Sequence, residues 1–118
     1  MLRRLIPVAA GVLAAPIALA VAAAHPVLVG TTGPGLTITV TMNGKKVTTL
    51  TPGAYTLVVH DKAPIHDFHL IGPGIDKVVT SVRFVGTKTI TVNLRKGTYR
   101  YQCDPHAASG MKGSFVVS

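Results

Sequence analysis

The sequence predicts an all-β sandwich or barrel. Short runs alternate apolar and polar residues, as in Leu36-Thr-Ile-Thr-Val-Thr41 and Thr89-Ile-Thr-Val-Asn-Leu94, which puts alternate side chains on one buried face. The runs are separated by Asn43-Gly44, Pro52-Gly53, Gly72-Pro73-Gly74 and Lys96-Gly97, all of them turn signals. Nothing after residue 24 carries an apolar stripe of helical period, so strands have to pack on strands.

Taken in order, Met1-Leu2-Arg3-Arg4 precedes an apolar run from Leu5 to Ala24, with small residues Ala22 and Ala24 before His25. This pattern predicts a secretory signal over 1–24, cleaved after Ala24 or, as a second choice, after Ala22. The run also approaches the length of a membrane span, so an uncleaved anchor is the alternative. Residues 25–118 remain as one domain of 94 residues. His25-Pro26 reads as a loose tail, and Gly30 to Gly35 as a flexible lead-in or turn. Strands are expected at Leu36–Thr41, Lys45–Leu50, Ala54–His60, His66–Ile71, Thr80–Val85 and Thr89–Leu94, with an irregular crossover from Ile75. Asn43-Gly44 joins the first two as a hairpin, because both residues tolerate positive φ. A further strand ends at Cys103, and the last covers Gly113 to Val117.

Charge and cysteine count narrow the function. The formal charge is +8, of which Arg3 and Arg4 contribute two, leaving +6 on the domain; the acids are Asp61, Asp67, Asp76 and Asp104, with no glutamate. Such a surface favours solubility and an acidic protein partner or anionic membrane surface. The basic residues are scattered among strands without an aromatic stripe, which argues against nucleic acid. Cys103 is the only cysteine, so an exported chain can form no internal disulfide. A lone thiol outside the cell is protected if it binds a metal.

The metal ligands are read from Tyr99 to Gly113. Tyr99 and Tyr101 alternate with Arg100 and Gln102, and Pro105 then ends the strand. Cys103, His106 and Met111 fall in the loop that follows. Thiolate, imidazole and thioether suit copper better than magnesium or calcium, which take oxygen. A second histidine completes a blue-copper set. In Ile65-His66-Asp67-Phe68-His69-Leu70, alternation puts His66 with Phe68 and Leu70 on the inner face and His69 on the outer one. The predicted ligands are His66, Cys103, His106 and Met111. Loss of His69 is expected to leave the metal's spectrum nearly untouched.

His66 within Pro64-Ile65-His66-Asp67, together with Cys103-x2-His106-x4-Met111, resembles the cupredoxins, with a loop similar to that of plastocyanin. The resemblance runs from about Thr37 to Ser118. It implies a Greek-key β-sandwich of about seven to eight strands, one mononuclear type 1 copper, and a one-electron carrier between redox partners that is not an enzyme. It also implies that the edge of His106 lies near the surface. One position departs from the family: asparagine commonly follows the first histidine, and here it is Asp67. An ionised aspartate cannot donate a hydrogen bond, and with Asp104 nearby one of the two carboxyls is expected to be protonated or turned to solvent.

The rival readings are weaker on chemical grounds. Structural zinc wants more cysteines or imidazoles, and a thioether serves it poorly. A multicopper oxidase needs histidines beside the cysteine, where Gln102 and Asp104 stand. An N-terminal copper brace at His25 lacks a clear second histidine. Non-redox copper storage, delivery or protection is the runner-up, although such a site does not need this ligand geometry. The sequence reading is therefore an exported monomer in the periplasm, the extracellular space or at the cell surface.

Overall fold

A computed structural model describes Gly11 and residues 24–118 of the protein. The leader read over 1–24 lies outside the described residues, Gly11 and Ala24 apart. Among the described residues no helix is long and apolar enough to cross a membrane. The described residues form ten strands, in the order β1 Val27–Thr32, β2 Ile38–Met42, β3 Lys45–Lys46, β4 Thr49–Leu50, β5 Gly53–Asp61, β6 Phe68–Gly72, β7 Ile75–Thr80, β8 Gly86–Leu94, β9 Gly97–Gln102 and β10 Lys112–Val117. They form two five-stranded sheets, β3-β2-β1-β5-β8 and β4-β10-β9-β6-β7. The chain passes between the sheets at β3–β4, β4–β5, β5–β6, β7–β8 and β8–β9, which gives the expected Greek-key sandwich. β1–β5 and β4–β10 pair in parallel, and the other pairs are antiparallel.

Between the sheets lie Leu28, Val40, Leu57, Val59, Phe68, Leu70, Val92, Tyr99, Tyr101 and Phe115, all buried. Every second residue of β5 (Tyr55, Leu57, Val59, Asp61) is buried, the alternation that marks a half-buried strand. The aromatic rings stack along the core: Tyr99 on Phe115 at 5.4 Å and Phe68 on Tyr101 at 6.1 Å between centroids.

Four expectations change. The tail and lead-in at 25–35 contain β1, which is central to its sheet. Gly30 weakens that strand's sequence signal, yet it is needed there, since a Cβ would sit 2.8 Å from the Phe68 ring. The run Lys45–Leu50 is two strands in different sheets, joined by Val47 and Thr48, whose backbone groups bond Val40 and Val116 respectively. Thr80–Val85 is not a strand: β7 ends at Thr80 and the Phe84 N–H closes a turn on the Ser81 carbonyl at 3.0 Å. The strand occupies the predicted crossover instead. As an edge strand it has exposed Asp76, Lys77 and Val78, which obscures its alternation. Lastly, His66 and Asp67 precede β6, so His66 is buried by a loop and not by strand alternation.

Candidate metal centre

Three backbone segments meet at one end of the sandwich. The β5–β6 connection carries His66, the β9–β10 connection carries Cys103 and His106, and the β1–β2 connection covers His66. Gly33 has φ +77°, and a Cβ there would lie 2.6 Å from the His66 ring. Only glycine lets the backbone pass so close in this conformation. The next residue supplies the Pro34 carbonyl, 3.1 Å from His66 Nε2. A carbonyl only accepts, so Nε2 carries the proton and Nδ1 keeps its lone pair.

That Nδ1 lies 3.6 Å from Cys103 Sγ and 3.1 Å from His106 Nδ1, and His106 Nδ1 lies 3.3 Å from the sulfur. The three donor atoms all fall within 4.8 Å of one another. His66 and Cys103 have no exposed surface, and His106 is half-buried. The predicted His66, Cys103 and His106 are thus brought together. Met111 is also buried, and its backbone closes the same loop: the Cys103 N–H donates to the Met111 carbonyl at 3.0 Å, and the Met111 N–H to the His106 carbonyl at 3.2 Å. Between them runs a 3-10 helix, Asp104–Ser109, whose start is marked by Pro105 and whose end is the left-handed Gly110. Proline early and glycine just past the end are what such a turn requires.

Burial pushes the Cys103 thiol's pKa up, while backbone hydrogen bonds from Asp67 and His106 to the sulfur pull the other way. Two imidazole lone pairs and a sulfur directed at one point fit a soft or borderline cation, which would favour the thiolate.

The surrounding carboxyls divide as the sequence suggested. Asp67 is buried and its Oδ1 accepts the Asp104 N–H at 2.6 Å. Burial, then its hydrogen bond to the Asp104 carboxyl, raises its pKa to about 6. Asp104 turns outward. Burial would raise it, but hydrogen bonds from Gln102, His69 and Asp67 outweigh that and lower its pKa. His69 therefore has a role that alternation alone did not reveal: its Nδ1 meets Asp104 at 2.8 Å and its Nε2 meets Asp76. Of the other histidines, His60 bonds Thr87 Oγ1 at 2.9 Å and His25 is exposed; neither belongs to the donor cluster.

A Greek-key sandwich with a buried His–Cys–His cluster at one end defines the blue-copper, or cupredoxin, class. Sequence comparison agrees: the copper-binding proteins of the plastocyanin/azurin family match residues 37–118, and the chain belongs to that family. Plastocyanin of Daucus carota is 50% identical over 32 residues, which span 26% of this chain and 33% of that protein. Among solved structures, the copper protein rusticyanin is similar at 28% identity and TM-score 0.56, over 78% of this chain and 76% of that one. Auracyanin of Roseiflexus castenholzii shares the fold at 21% identity and TM-score 0.58, over 80% and 98% of the two chains. One type 1 copper is the cofactor that this family and this donor cluster define.

Proposed function

We propose that the protein is an exported carrier of single electrons between redox partner proteins, with copper held by His66, Cys103, His106 and Met111. The observation that carries this reading is the convergence of the two Nδ1 atoms and Sγ within 4.8 Å, brought together from two loops at one end of the sandwich. Copper supplies a metal that accepts and returns one electron. The chain's own residues keep the donors still during that change. His66 is fixed by the Pro34 carbonyl, and the loop from Cys103 to Met111 is tied by its own backbone bonds. Donors that move little need little reorganisation, which suits rapid transfer. Met111, buried at the end of the same loop, would supply a fourth and weaker donor through its thioether sulfur.

His106 is the one of the three clustered donors that reaches the surface. The β1–β2 and β5–β6 connections at the same end of the sandwich leave Leu36 and Ile65 exposed, at 59% and 53%. An apolar rim round a half-buried ligand gives a partner a dry surface for close approach. The positive charge of the domain favours acidic partners, and the leader over 1–24 directs export or tethers the protein to a membrane.

Voltammetry of the copper-loaded protein tests the carrier role. A reversible one-electron wave with rapid electron exchange is expected. Sluggish exchange, with copper passing readily to an acceptor, would instead establish the storage or delivery reading.

A further inference from the structure

The outer face of the β6–β7–β9 sheet carries a group of side chains with no part in the ligand set. His69 stands at its centre. The pairing of β6 with β7 shifts register between Phe68 and His69, a bulge of the kind that re-aims a side chain. His69 is opposite Gln102 of β9. Its Nδ1 bonds the Asp104 carboxylate at 2.8 and 3.0 Å, and its Nε2 bonds Asp76 Oδ1. Two carboxylates accept from one ring, so both nitrogens donate and the ring is an imidazolium. Burial alone would oppose the charge, but the hydrogen bonds to Asp76 and Asp104 overcome it and raise the pKa. Gln102 Nε2 adds a bond to Asp104 Oδ1 at 2.8 Å.

Asp104 is therefore gripped from both sides. Its backbone N–H is held from within by Asp67, and its carboxylate from outside by His69 and Gln102. It is also the first residue of the helical turn that follows Cys103 and carries His106. Fixing its position fixes the direction in which both donors leave the chain.

We infer that His69 is a positioning residue for the metal loop: bridging Asp76 of β7 to Asp104, it clamps the Cys103–His106 segment against the sheet. The inference rests on the reading of Cys103 and His106 as copper ligands. The side chain of Asp76 is 74% exposed and that of His69 only 18%. The hairpin thus reaches out to the ring, and Asp76 can be altered with little effect on packing.

The test uses His69→Phe, which keeps a ring and removes both donors, Asp76→Asn, and the double variant. In each, amide hydrogen exchange is followed without copper, and copper release to a chelator is timed after loading. In His69→Phe, the amides of Asp104 and of His106 to Gly110 should exchange at least tenfold faster, while those of Leu57 and Val59 stay unchanged. Copper release should quicken at least threefold. Asp76→Asn should act in the same direction but less strongly, and should add nothing on top of His69→Phe. Unchanged loop exchange, an equal rise at Leu57 and Val59, or full additivity would each overturn the clamp. Should His69→Phe fail to fold, Asp76→Asn decides alone, and an unaltered loop in it overturns the proposal. A wild-type protein without the thiolate-to-copper absorption band would sink the ligand reading itself, a separate failure from these.

Discussion

Asp67→Asn is the substitution whose effect can be worked out most fully. Asp67 has an ordinary pKa of 3.8 when unfolded and about 6 in the fold. The folded state therefore holds the proton more tightly than the unfolded chain between these values. Stability falls as pH rises from about 4 to about 6 and stays lower above. At 1.36 kcal/mol per pH unit the gap amounts to about 3 kcal/mol at most, and screening by the polar groups around the carboxyl reduces it to on the order of 2 kcal/mol. Asparagine carries an amide N–H where the protonated acid carries its O–H. It can therefore donate towards Asp104, and its Oδ1 still accepts the Asp104 N–H. Urea unfolding of the copper-free protein from pH 4 to pH 8 is the assay. Near pH 4 the two proteins should be similar, and at pH 8 the Asn variant should be the more stable by on the order of 2 kcal/mol. His69 titrates in both proteins, so the difference reports the Asp67 carboxyl together with the Asp104 carboxyl that it bonds. A difference independent of pH, or an Asn variant less stable at pH 8, would refute the reasoning.

Three further outcomes are expected. Gly33→Ala puts a Cβ against the His66 ring at a backbone angle of +77°. It should cost about 2 kcal/mol or more and weaken copper binding, as read by thermal melts and metal titration; unchanged affinity would mean that the β1–β2 loop does not hold the ring. Tyr99→Phe strips the hydroxyl that accepts from the Arg95 N–H at 3.0 Å and donates to the Pro73 carbonyl at 2.7 Å. It should cost about 1–3 kcal/mol in denaturant unfolding while leaving the copper spectrum unaltered, since it acts at the other end of β9. Met111→Leu should retain the thiolate-to-copper band and raise the reduction potential, because a weak donor is lost from the more demanding cupric state; an unmoved potential would remove Met111 from the ligand set.

Much of this was legible in the sequence, for reasons that differ by element. β5 and β9 were plain because one face of each is fully buried, which imposes strict alternation. The cluster was plain because Cys103 and His106 are three residues apart in one loop and their chemistry is restrictive. His66 was placed correctly inside, although its burial comes from Gly33 and Pro34 across the sandwich and not from strand period. What stayed hidden depends on contacts distant in sequence. β1 was masked by Gly30, whose missing side chain only makes sense once the Phe68 ring lies over it. β7 was masked by exposure at a sheet edge. His69 looked idle because a histidine on an outer face has no signature of its own. The signals available were Asp104 beside the cysteine and Asp76 across the hairpin, both unremarkable until the bulge brings them to one ring.

The central claim is that one copper is gripped by Cys103 sulfur and the Nδ1 atoms of His66 and His106. Visible absorption of the copper-loaded protein, compared with Cys103→Ser, tests it most directly. An intense thiolate-to-copper band at one copper per chain, abolished by Cys103→Ser, is the predicted result. A colourless protein that binds copper equally well after that substitution would contradict the account.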